Sequence, residues 1–393
     1  MKSDIAAWKT AAAGLTGMAA VMGIGRFVFT PILPAMMVGL DMNASEAGWI
    51  ASANYVGYLL GAILAGGGWG QGREYRVATS SLVLSAVLLL IMGLTENYPL
   101  MLAVRFLAGM ASAFTMVFLS TIVFARLALL GRSDLQGTFF AGVGVGMMLS
   151  AAITGLLYLG GAEWWWGWIG SAVVAGGASV LALIFLEPPA RLSGPATREP
   201  PLPAGRPLQA LIVAYGLFGA GYIVTATFLI AIVRAGNGGP LTESAVWLVT
   251  GLAVIPSMPL WSFLARRIGL TATFAVGLVV EAIGVTASVA TGGFLGPFIG
   301  GALLGGTFVA VTSLGVQAGR LLAKQSPRRA MAVMTSAFGL GQMIAPVLAG
   351  YVADWTGSFT VPSLGAAFVL LLAAAIAATL GTAEKAAGAA RGN

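Results

Sequence analysis

The 393-residue chain has no histidine and no cysteine, and only 8% of its residues are charged. Without imidazole there is no proton relay of the usual kind, and without thiolates there is no covalent thiol chemistry, no disulfide and little scope for a transition-metal site. A hydrolase working inside a membrane would need a nucleophile with histidine or paired acids in its core, so the chain reads as no enzyme and calls for no cofactor or metal. What it has instead is apolar: 58% of the residues are hydrophobic and the mean hydropathy is +0.93. Such a composition belongs to a polytopic membrane protein with the lipid bilayer as its solvent. The net charge of +7 does not point to nucleic acid, because the bases are scattered in short pairs at the ends of apolar runs. The first apolar run continues well past Met36, so no cleavable leader is expected.

Apolar runs of membrane-crossing length, broken by Pro, Gly and charge, place twelve spans at about 10–36, 46–68, 76–94, 99–124, 136–159, 164–186, 208–233, 244–265, 271–292, 296–321, 329–353 and 359–381. An even number puts both termini on one side. On that side fall all of the 20 Lys and Arg except Arg234, outside, and Arg26 and Arg105, within spans. The excess makes that side cytoplasmic and the expected location a bacterial inner membrane. Trp164, Trp165, Trp166 and Trp168 then fall at the outer interface, where an aromatic belt is expected.

The proline-rich stretch 187–207 divides the chain into an N-terminal six-helix bundle, 1–186, and a C-terminal one, 208–393. The halves repeat. Gly144-x-Gly146-x8-Gly155 recurs as Gly339-x-Gly341-x8-Gly350, Gly23-x-Gly25-Arg26 as Gly219-x-Gly221-Tyr222, and Ala47-Gly48-Trp49 as Ala245-Val246-Trp247. The near-constant offset indicates a duplicated unit, a pattern of transporters with the site between the repeats. The fold class is all-α: twelve transmembrane helices as two pseudo-symmetric six-helix bundles.

On these features the chain resembles the major facilitator superfamily over its whole length. Arg105-x3-Gly109 in span 4 is similar to the superfamily's arginine motif, and Gly68 to Arg76 to its glycine-and-base loop, here without the aspartate. Span 5 is glycine-rich, without the Gly-Pro pair of the antiporter motif. Gly25-Arg26-Phe27, Gly48-Trp49 and Ala53-Asn54-Tyr55-x-Gly57-Tyr58 resemble the YbfB/YjiJ-type bacterial permeases. The resemblance implies alternating access, spans 1, 4, 7 and 10 lining a central cavity, and proton coupling.

Arg26 stands about 18 apolar residues into span 1, too deep to reach water. A charge at that depth costs roughly 2.5–3.5 kcal/mol on insertion scales. It reads either as the anchor of an anionic ligand or as a structural arginine satisfied by carbonyls. Arg105 lies at comparable depth and is either a second charge for the ligand or a brace for its own helix, with proton coupling implied for it by the resemblance. Asn54, Tyr58, Tyr222 and Gln342 are the residues expected to orient the ligand, each with helix packing as its alternative. Glu281, a carboxylate within span 9, is either a proton carrier or a protonated packing group. The expected function is transport of a small solute, an organic anion, by a monomer. The alternatives are an exporter of drugs, sugars or other neutral metabolites and, in a different class, a transport-inactive membrane sensor.

Overall fold

The computed structural model describes residues 2–188, 199–290, 293 and 295–389, with side chains from 4 to 380. Among them are twelve helices long and apolar enough to cross a membrane, as expected. They are α1 (Asp4–Gly39), α2 (Ala44–Gly66), α3 (Glu74–Gly93), α4 (Tyr98–Leu129), α5 (Gln136–Leu159), α6 (Trp164–Phe185), α7 (Arg206–Ala235), α8 (Pro240–Ile268), α9 (Leu270–Ala290), α10 (Leu295–Leu322), α11 (Pro327–Thr356) and α12 (Thr360–Ala389). Residues 189–198 of the linker, with Arg191 and Arg198, lie outside the described residues, as do Arg391 and the side chains of Lys2 and Lys385. Large apolar side chains such as Leu156, Val173, Ile184 and Phe368 are exposed, as helix faces solvated by lipid are.

The sequence repeat is a packing repeat. In the first half α2 packs on α4, α3 on α4 and α6, and α1 on α5 and α6; in the second α8 packs on α10, α9 on α10 and α12, and α7 on α11 and α12. Across the halves α2 meets α11, α5 meets α8, and α1 meets α7. The repeated glycines explain why. A methyl on Gly144 or Gly155 would strike α8, and one on Gly146 would strike α1; a methyl on Gly339 or Gly350 would strike α2, and one on Gly341 would strike α7. In each half, two glycines of the triplet let the fifth helix approach the other half, and the middle one lets it approach the first helix of its own. The matching tryptophans do the same across the halves: Trp49 Nε1 donates to Tyr351 at 3.4 Å and Trp247 Nε1 to Ser150 at 3.0 Å.

The tryptophan cluster departs from the expected belt. Trp164 and Trp168 are buried while Trp166 is half exposed. Gly39 admits the Trp164 ring, and Trp168 lies over Arg105 and donates to Met36 Sδ at 3.3 Å.

The halves are joined at the end of the bundle away from the termini. Among the described residues, inter-half hydrogen bonds run from Arg26–Gln342 through Tyr55–Thr227, Thr30–Ala226, Ser52–Met343 and the two tryptophan bonds out to Asp354. Toward the other end α4 and α10 share no extensive packing among the described residues. The outermost joint is a helix cap. The first backbone N–H groups of α2 have no intrahelical acceptor. Asp354 of α11 takes those of Ala44 and Ser45 at 2.8 and 2.9 Å, and Asn43 takes that of Glu46 at 2.8 Å. A carboxylate on a helix N-terminus is worth about 1 kcal/mol when exposed. Asp354→Asn is therefore expected to shift the equilibrium at this end toward opening by roughly fivefold. Maleimide labelling of Ser52→Cys, buried between α2 and α11, measures it; equal labelling rates with and without Asp354→Asn would show that the cap does not hold the end shut.

Candidate functional site

The site forms where α1 leaves ideal geometry. Ala19–Arg26 is π-helical, a turn at Phe27 and Val28 follows, and the α-helix resumes at Phe29. A wider turn of this kind is frequent at functional positions. Glycine is required at 23, because α1 crosses α5 so closely that a methyl there would overlap Gly146 and the Val143 carbonyl.

The turn interrupts the helical ladder, and Arg105 takes up the carbonyls beside it. Its Nη1 donates to Gly25 O at 3.3 Å and its Nη2 to Arg26 O at 3.4 Å. The guanidinium carbon lies over the rings of Phe29 at 5.2 Å and Trp168 at 5.7 Å. The residue is 1% exposed. Arg105 thus occupies the bracing arrangement, holding the backbone that carries Arg26.

Asn54 belongs to the same scaffold. Its Nδ2 donates to the backbone carbonyl of Arg105 at 3.0 Å, so it looks to the α2–α4 contact. That contact is close because Gly57 and Gly109 leave no room for a methyl against the carbonyls of Phe106 and Asn54.

Arg26 itself is 4% exposed. Tyr58 lies under its guanidinium at 4.2 Å, with Tyr55 at 5.1 Å and Phe27 at 5.7 Å. Its Nη2 donates to Gln342 Oε1 at 3.1 Å, whereas Nε is buried with no acceptor. Gln342 Nε2 in turn donates to the Tyr222 hydroxyl. The Tyr222 ring runs nearly parallel to Phe308 and Phe338, at interplanar angles of 9° and 13°. The ion pairs among the described residues involve other arginines, so no carboxylate balances Arg26 or Arg105.

A desolvated cation–π contact recovers about 2 kcal/mol, comparable with the insertion cost of the charge. The aromatic faces therefore make Arg26 tolerable without cancelling its field. An anion would gain that field and the unused donors.

Of the residues singled out in the sequence, the structure brings together Arg26, Tyr58, Gln342 and Tyr222, with Arg105 and Asn54 behind them. Glu281 lies on α9, fully buried, with neither carboxyl oxygen hydrogen-bonded, within electrostatic range of Tyr222. The neighbouring hydroxyl of Thr307 donates to its own helix at Leu303 O, 2.6 Å. Phe27 and Tyr55, members of the two family-like motifs, join the site together with Phe308 and Phe338. Tyr55 precedes Tyr58 by three and shares its helix face; Phe308 and Phe338 are indistinguishable in sequence from lipid-facing phenylalanines.

The two arginines should respond oppositely to removal. Arg105→Leu leaves two buried carbonyls unbonded, at about 1–3 kcal/mol each, and is expected to lower the melting temperature of the purified protein. Arg26→Leu removes an unbalanced buried charge and is expected to leave it unchanged or raise it. Equal losses in the two variants would show that Arg26 is structural.

Residues 18–378 match the family model described as "Uncharacterised MFS-type transporter YbfB". The MFS-type transporter YceJ of Bacillus subtilis (strain 168), itself described as uncharacterized, is 25% identical over 272 residues, which are 66% of this chain and 68% of YceJ. The crystal structure of the nucleoside transporter NupG is similar with a TM-score of 0.68 at 15% identity, covering 97% of this chain and 98% of NupG. A bacterial homolog of the human lysosomal transporter Spinster, in an inward-facing and unoccupied conformation, is similar with a TM-score of 0.68 at 12% identity, covering 95% and 96%. At these identities the two structures share the fold.

Proposed function

The chain belongs to the YbfB-type family of major facilitator superfamily transporters, and from that premise we propose that its substrate is a small organic anion anchored by Arg26. The observation that carries this is the state of the Arg26 guanidinium: buried, with one amide oxygen as acceptor, an unbonded Nε, and no carboxylate within ion-pair reach among the described residues. A planar fork of N–H donors in low dielectric suits a carboxylate. A cationic drug would meet repulsion from two unbalanced arginines. Tyr58 and Gln342 line the anchor, Tyr222 holds Gln342, and Arg105 acts through the backbone it braces.

In this reading the halves 1–186 and 208–393, joined by the linker 187–207, rock about the site, and one copy of the chain carries a complete pathway. The termini face the cytoplasm of a bacterial inner membrane, as the excess of bases on their side supports. The closed end is then the outer one.

Two experiments test the reading. A thermal-shift screen of the purified protein against small carboxylates, phosphates, sugars and cationic dyes is expected to show stabilisation by a carboxylate, because a ligand that binds only the native state raises its stability. Arg26→Ala should lose that stabilisation and the corresponding uptake while remaining folded. Stabilisation only by sugars or dyes would instead favour a transporter of neutral or cationic compounds. For Glu281→Gln, flux within about twofold of wild type is expected, since no hydrogen bond links the carboxyl to the anchor; loss of pH-driven flux with retained exchange would make Glu281 the proton carrier.

A further inference from the structure

Gln342 occupies the position that an anionic ligand of Arg26 would need, and it belongs to the opposite half. Its side-chain oxygen accepts from Arg26 Nη2 at 3.1 Å, and its amide nitrogen donates to Tyr222 within its own half. A ligand carboxylate is the stronger acceptor for a guanidinium, because a charge-assisted bond is roughly twice as strong as one to a neutral amide. When Gln342 yields Arg26 to such a ligand, its amide keeps the bond to Tyr222.

The consequence is carried along one helix. On α11, Gln342, Pro346, Gly350 and Asp354 follow at intervals of four and form a stripe along the helix. The stripe runs along α2: the Pro346 backbone meets Gly48, Gly350 meets Ala44 and Ser45, and Asp354 caps the α2 N-terminus. Pro346 has no N–H, so the Gln342 carbonyl lacks its intrahelical donor, and the Ser52 hydroxyl of α2 holds the next carbonyl, that of Met343. Such a helix bends most readily between the site and the cap.

We propose that Gln342 is a built-in stand-in for the ligand's anionic group, and that its exchange for the ligand on Arg26 releases the α11 stripe from α2 and so reports occupancy to the closed end. Gln342 acts here as a positioning residue, one whose loss alters coupling rather than charge. The proposal rests on the anion reading of Arg26, and the test separates the two.

The full-length protein, having no cysteine of its own, accepts a spin-label pair at Leu94→Cys and Leu241→Cys, exposed positions near the closed end on opposite halves. Distance distributions are recorded with and without acetate, benzoate or succinate, and affinities are taken from thermal shifts. Gln342→Glu places a permanent carboxylate on Arg26; it is expected to weaken carboxylate binding by about tenfold or more and to keep the distances short with the carboxylates present. Gln342→Leu is expected to populate the long distances without carboxylate, at least about threefold more than wild type. A Gln342→Leu distribution like that of wild type without carboxylate overturns the proposal, as does a Gln342→Glu protein that opens and binds normally. Carboxylate binding that survives Arg26→Ala, or is absent from wild type, overturns the anion reading instead.

Discussion

The structure is organised around an uncompensated positive charge in a low-dielectric interior. The Arg26 guanidinium has the rings of Tyr58 and Tyr55 against it, one neutral acceptor, and no carboxylate within ion-pair reach among the described residues. Each neighbour follows from that constraint. The rings of Tyr55 and Tyr58 lower the cost of the charge. Arg105 and Asn54 fix the backbone that carries it, through the carbonyls of Gly25, Arg26 and Arg105 itself. Gln342, supported by Tyr222, gives it a single bond into the other half.

The asymmetry of the site contrasts with the symmetry of its frame. The two halves share their helix pairings, their glycine triplets and their cross-half tryptophans. Yet position 26 is arginine in one half and its repeat partner, position 222, is tyrosine in the other, so the charge sits on one side and its neutral acceptors on the opposite one. Duplication built a container with a two-fold interior, and divergence at a few inward positions made that interior polar in one direction. The same frame places α2 against α11 over their length from site to cap.

Glycine spacing was the most informative local signal in the chain. Small residues let membrane helices approach until backbones touch, so an interval of two and nine that recurs half a chain later marks the same three contacts twice. The tryptophan run shows the limit of such reading. Four tryptophans at the end of a span suggest an interfacial belt, but Trp164 and Trp168 turn inward because Gly39 and the Arg105 guanidinium offer places for them. Composition ranks a residue's affinity for an interface; it does not say which face of the helix lipid will reach.

The sequence alone determined the membrane-spanning class, the number of spans, the duplication and the depth of both arginines, because hydropathy, repeat spacing and helical rise are properties of residues taken along one helix. Only the tertiary structure shows which groups the two arginines bond. Each is an equally deep and equally charged residue in sequence, and the difference lies in what surrounds it: two backbone carbonyls and the rings of Phe29 and Trp168 for Arg105, one amide from across the halves and the rings of Tyr55 and Tyr58 for Arg26, each with a buried Nε left unbonded. Hydrogen-bond partners 80 and 316 residues away leave no trace in local spacing, since they are set by how twelve helices pack rather than by any one of them.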